Sequence, residues 1–159
     1  MLYSQAKNTD HWIRLYVRGL YPVGSFRRKE ETINDLDYVT MRPLTYILDE
    51  FRVAYMQDND DDIIVDEQGD YYMSLKMKMD FGYFQVDFWR ARDKYEYFFL
   101  KTMRTLDKDH NIYWRRMAIN KGLRLSDRGL YKGSHNRVNL ITNTKKELER
   151  ELGIKQRHL

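Results

Sequence analysis

Asp87 is the lone acid in the apolar run Phe84-Gln85-Val86-Asp87-Phe88, which reads as a strand. A carboxylate in such a strand costs free energy unless it is paired or holds a metal. Asp35-Leu36-Asp37 opens an earlier strand, read over Leu36, Tyr38, Val39 and Met41 and ended by Arg42-Pro43. Residues two apart on a strand share a face, so Asp35 and Asp37 aim at one point, where their repulsion calls for a cation. If the Asp87 strand neighbours the first, three carboxylates converge. That donor set suits two divalent ions and in-line phosphoryl or nucleotidyl transfer. A bare D-x-D is more often turn or surface chemistry, and the denser run Asp58, Asp60, Asp61 and Asp62 reads as a solvated loop.

Charge is uneven along the chain. Through Asp87 there are 10 Lys and Arg against 16 Asp and Glu, and from Phe88 onward 18 against 8, giving −6 and +10. A metal-dependent enzyme acting on a polyanion needs such halves, although an unevenly charged solvated surface explains the numbers equally well. No cysteine is present, which excludes disulfides, thiolate zinc sites and a cysteine nucleophile. No apolar run has the length of a membrane span or a signal peptide, so the expectation is an intracellular protein without a membrane partner.

The helical period of Trp12, Ile13, Leu15, Tyr16 and Leu20 predicts a first helix over 5–20, capped at Asn8, Thr9 or Asp10. Leu44, Ile47, Leu48, Phe51 and Tyr55 predict another over 44–56. An antiparallel meander follows: Ile63 to Val65, a turn at Glu67 to Asp70, alternation from Tyr71 to Met79, a turn at Asp80-Phe81-Gly82, and a strand to Trp89. Helices are expected from Tyr95 and over 111–120, with Gly122 as a stop, then a hairpin turning at Asp127-Arg128-Gly129. Thr144 with Glu147 predicts a capping box on a last helix that Gly153 ends. The aromatics Tyr71, Tyr72, Tyr83, Phe84, Tyr95, Tyr97, Phe98 and Phe99 read as sheet core more readily than as base-stacking groups. His11, His110, His135 and His158 have no metal-ligand spacing.

Upstream of the D-x-D lies Val23-Gly24-Ser25-Phe26-Arg27-Arg28. Gly24 lets backbone approach an anion, Ser25 adds a hydroxyl and an amide, and Arg28 can fork onto phosphate oxygens. The run VGSFRRKEETINDLDYVTM, with the third acid in FQVDFW, resembles the nucleotide-binding segment of the family X DNA polymerases, of which polymerase beta is a member. RRMAINKGLRLSDRGLYKG resembles that family's thumb helix and strands, and ITNTKKELERELG its C-terminal helix. The likeness runs over 20–153, and the length matches minimal viral members that keep palm and thumb alone.

The resemblance implies an α+β fold: a nucleotidyltransferase palm (1–92) with a small mixed or antiparallel sheet and flanking helices, then a small C-terminal thumb (93–159). It implies that Asp35, Asp37 and Asp87 are catalytic and hold two Mg²⁺, which Mn²⁺ can replace, with Asp87 also activating the primer 3′-hydroxyl. Gly24, Ser25 and Arg28 would bind the dNTP triphosphate, and Asn111 its base. Arg115 would contact template. Apart from the resemblance, Trp114, set between Tyr113 and Arg115 on a basic, aromatic helix, reads as the best candidate for contact with a nucleotide, and Arg116 on the same helix as a contact to DNA. The implied function is DNA-directed DNA synthesis by a monomer on gapped or primer–template DNA, in short-gap repair. The sequence lacks the family's sugar-sensing Y-F-T-G before the thumb helix and its closing Y-R-E-P, and no lyase domain is expected ahead of Gly24. Two rivals stay open. One is a template-independent or RNA-directed nucleotidyltransferase on the same palm; the other is a non-catalytic nucleic-acid-binding module.

Overall fold

The computed structural model describes residues 1–55 and 62–154. Met56, Asp58 to Asp61 and His158 therefore lie outside the described residues. Two compact units are present, Met1–Arg92 and Asp93–Leu159. The chain combines helices with two mainly antiparallel sheets, an α+β arrangement.

The first unit is built on a five-stranded mixed sheet in the order β1-β2-β5-β4-β3. Its strands are β1 Tyr21–Val23, β2 Asp35–Thr40, β3 Ile63–Gln68, β4 Tyr72–Met79 and β5 Gly82–Arg90. Strands β2 and β5 run parallel, with Asp37 opposite Asp87. The other pairs are antiparallel. Alternation decides the two faces. Leu36, Tyr38, Met73, Leu75, Met77, Phe84, Val86 and Phe88 form a buried core with α1 (Tyr3–Tyr16) and α3 (Leu44–Tyr55). From those helices come Ala6, Ile13, Ile47, Leu48 and Phe51. The opposite face carries Asp35, Asp37, Gln85 and Asp87.

Two expectations for this unit need correcting. Helix α1 begins at Tyr3, so Asn8, Thr9 and Asp10 lie inside it and cap nothing. Asp10 is instead buried at 2% exposure. It accepts the Tyr38 hydroxyl at 2.7 Å and the Arg14 guanidinium at 2.6 Å, which satisfies an otherwise costly charge. Tyr21–Val23 form a short edge strand where the sequence pointed only to a helix end. Pro22 is tolerated there because an edge strand needs only one side of its backbone for pairing.

The second unit packs α4 (Lys94–Thr105), α5 (Lys108–Asn120) and α6 (Lys145–Leu152) with a three-stranded sheet, β6 Arg124–Ser126, β7 Gly129–Lys132 and β8 Asn136–Arg137. Strand β8 went unseen in the sequence because two polar residues carry no alternation. Asp93 and Asp107 cap α4 and α5 by accepting the amides of Glu96 and His110. His110 also lies 2.8 Å from the Asp107 carboxylate. Thr144 accepts the Glu147 amide at 3.2 Å, but its own amide donates to Thr142, so half of the expected capping box forms. Tyr95 pins α4 to β7 by bonding both backbone groups of Leu130. A Cβ at Gly129 would lie 2.7 Å from the Tyr95 ring. Phe98, Phe99, Met103, Trp114, Ala118, Leu125 and Leu130 form the core. Phe98 and Phe99 thus enter this core from helix α4 and not from a strand.

Replacing Tyr38 by Phe removes the donor to buried Asp10 and keeps the ring against Phe88. A cost of about 1–3 kcal/mol in urea unfolding is expected.

Candidate metal and nucleotide site

The carboxylates of Asp35, Asp37 and Asp87 each place an oxygen within 4.8 Å of the others. Two reach this point because β2 exposes alternate residues, and the third because the parallel β2–β5 register sets Asp87 beside Asp37. Asp87 is only 5% exposed. Burial and the neighbouring Asp87 charge raise the Asp35 carboxyl above its ordinary range, while Asp37 and Arg28 pull it back. Hard carboxylate oxygens gathered this closely suit a divalent cation, which relieves their repulsion. The chemistry of the donor set therefore fits Mg²⁺ or Mn²⁺.

Gly24 opens α2 (Gly24–Arg27) with φ +70°. A Cβ there would collide with the Asp37 carboxylate, so only glycine lets this turn close on the acid. Ser25 follows, half-buried. Arg28 ends the turn and pairs with Glu30 at 2.9 Å. Lys29 holds φ +59°, the one non-glycine residue in the left-handed region among the described residues.

Tyr72 and Gln85 also belong to the site, and the sequence reading missed them. The Tyr72 hydroxyl donates to Asp87 Oδ1 at 3.2 Å, and Gln85 Nε2 lies 3.0 Å from both Asp87 oxygens. Burial and the Asp87 charge push the Tyr72 hydroxyl up, so it stays a donor. Gln85 was legible in principle, two residues before Asp87 on the same face. Tyr72 depends on the β4–β5 register, which sequence alone does not fix.

The second unit corrects one assignment outright. Trp114 has 0% exposure and cannot stack on a nucleotide, because α5 turns it inward with Ala118 four residues on. Arg115 donates to Asn111 Oδ1 at 2.8 Å and to the Leu125 carbonyl at 3.2 Å, while the Asn111 amide donates to the Met103 carbonyl. Both side chains tie α5 to its neighbours. Arg116 is exposed. The basic excess is partly spent internally, since Arg104 pairs with Asp127, Arg128 with buried Glu96, and Arg137 with Asp93.

Asp35→Asn should raise the melting temperature in metal-free buffer. A carboxyl raised in the folded state penalises folding once it ionises and is relieved as pH falls. The gain over wild type should therefore be largest near neutral pH and shrink under acid, as followed by thermal melts across pH.

No protein-family model matches the sequence, and no curated protein sequence matches it. Among the described residues no helix is long and apolar enough to cross a membrane. A solved structure does match: the crystal structure of Leishmania infantum polymerase beta in a ternary P/T complex. The TM-score is 0.74 at 17% identity, over 98% of this chain and 73% of that one. The chain, with its acids converging on one face of a mixed sheet, has the fold of DNA polymerase beta.

Proposed function

We propose that this chain is a DNA-directed DNA polymerase of family X, with 1–92 as palm and 93–159 as thumb, that extends primers across short gaps in DNA repair. The observation carrying this reading is the convergence of Asp35, Asp37 and Asp87 on one point, directly beside the Gly24 turn. Asp35, Asp37 and Asp87 would hold two Mg²⁺, which when bound neutralise charge at the reacting phosphate. The Gly24-Ser25 turn and Arg28 would seat the dNTP triphosphate, with Arg28 exchanging Glu30 for phosphate oxygens. An Asp87 oxygen would accept the proton of the primer 3′-hydroxyl as the hydroxyl oxygen attacks the α-phosphorus and pyrophosphate leaves. Exposed Arg116 on α5 would still be offered to DNA. Arg115, on the family's template position, would have to leave Asn111 first.

That internal pairing of Asn111 with Arg115 also favours a second reading, template-independent nucleotide addition on the same palm. Template dependence separates the two.

Primer extension on one-nucleotide-gapped DNA with Mg²⁺ tests the proposal. Wild type should add the templated deoxynucleotide, and Asp35→Ala, Asp37→Ala and Asp87→Ala should abolish addition while remaining folded. Full turnover in any of the three refutes the site. Arg28→Ala should raise the nucleotide KM more than it weakens DNA binding, in line with a charged hydrogen bond of about 1.5–3 kcal/mol. A loss confined to DNA affinity would place Arg28 on the DNA surface.

A further inference from the structure

Asp87 is buried, one of three carboxylates that converge within 4.8 Å, and among the described residues its hydrogen bonds come from no basic side chain. Its partners are neutral: the Gln85 amide, 3.0 Å from both oxygens, and the Tyr72 hydroxyl at 3.2 Å. Each donor is itself held in place. The Tyr72 ring packs on Trp89 at 4.4 Å between centroids, and Ser74 lies buried opposite Asp87, two residues along β4 from Tyr72. Gln85 stands opposite Asp35 in the parallel register, which keeps its amide on the triad face.

The neutrality has a physical consequence. Repulsion from Asp35 and Asp37 acts to turn the Asp87 carboxylate away from the point where the acids meet. A lysine or arginine would hold it there but would also cancel its charge and compete with any cation. Neutral donors orient the group and leave the charge intact. A carboxylate has about four lone-pair positions, so bonds from two donors leave acceptor capacity for an ion.

Resting on the metal-centre reading above, we propose that Tyr72 and Gln85 are positioning residues. They hold Asp87 toward Asp35 and Asp37 while keeping its charge available to a divalent cation. Groups that orient metal ligands typically change metal affinity by about 10–100-fold when removed.

The test uses Tyr72→Phe, which keeps the ring on Trp89, and Gln85→Met, which keeps the side-chain length. Gln85→Lys adds the competing charge. Mn²⁺ binding to the protein alone, read by electron paramagnetic resonance of the free ion, should weaken by about tenfold or more in the first two variants and further in Gln85→Lys. In primer extension their kcat should fall at limiting Mg²⁺ with nucleotide KM unchanged, and added Mg²⁺ should recover part of it. Thermal melts establish that each variant is folded. Wild-type Mn²⁺ affinity in folded Tyr72→Phe and Gln85→Met, with Asp87→Asn abolishing binding, would overturn the inference and leave the metal centre standing. Undiminished Mn²⁺ binding in Asp87→Asn and Asp35→Asn would overturn both.

Discussion

Mutual repulsion among Asp35, Asp37 and Asp87 is the constraint on which the first unit depends. Like charges do not gather on one face of a small sheet unless the rest of the fold holds them there. The opposite face does much of that work. Leu36, Tyr38, Val86 and Phe88 are buried against α1 and α3, and because side chains alternate, burying them fixes the acids on the other side. A slip of one residue in β2 or β5 would bury the acids and expose the core. The hydrophobic free energy of that core therefore sets the geometry of the site.

Local chemistry then trims the repulsion without removing it. Arg28 lowers the cost of the Asp35 charge from a distance, while its own guanidinium pairs with Glu30. Gln85 and Tyr72 steady Asp87 with neutral hydrogen bonds. Gly24 is packed so closely on Asp37 that no side chain fits. Three carboxylates held this close together form a donor set suited to a divalent cation.

Much of this was legible in the sequence because it rests on short-range rules. Period two placed Asp35 and Asp37 together, and one acid in an apolar strand marked Asp87. What escaped depended on tertiary context. Pro22 hid an edge strand, since proline usually ends one. Asp10 looked like a cap because its Tyr38 partner lies 28 residues away. Trp114 was misplaced because its basic neighbours drew it toward DNA, whereas the spacing to Ala118 already pointed into a core. The raw excess of cations after Phe88 also overstated the surface available for phosphate, since ion pairs to Asp93, Glu96 and Asp127 engage three arginines.

The most direct test of the account is where the metal and the nucleotide sit. A crystal of the protein with gapped DNA, Mn²⁺ and a non-hydrolysable deoxynucleoside triphosphate would locate both by anomalous scattering. The account predicts Mn²⁺ peaks in contact with Asp35, Asp37 and Asp87, and the triphosphate on the Gly24-Ser25 turn. Mn²⁺ bound elsewhere with these carboxylates bare, or a triphosphate seated away from Gly24, would contradict it.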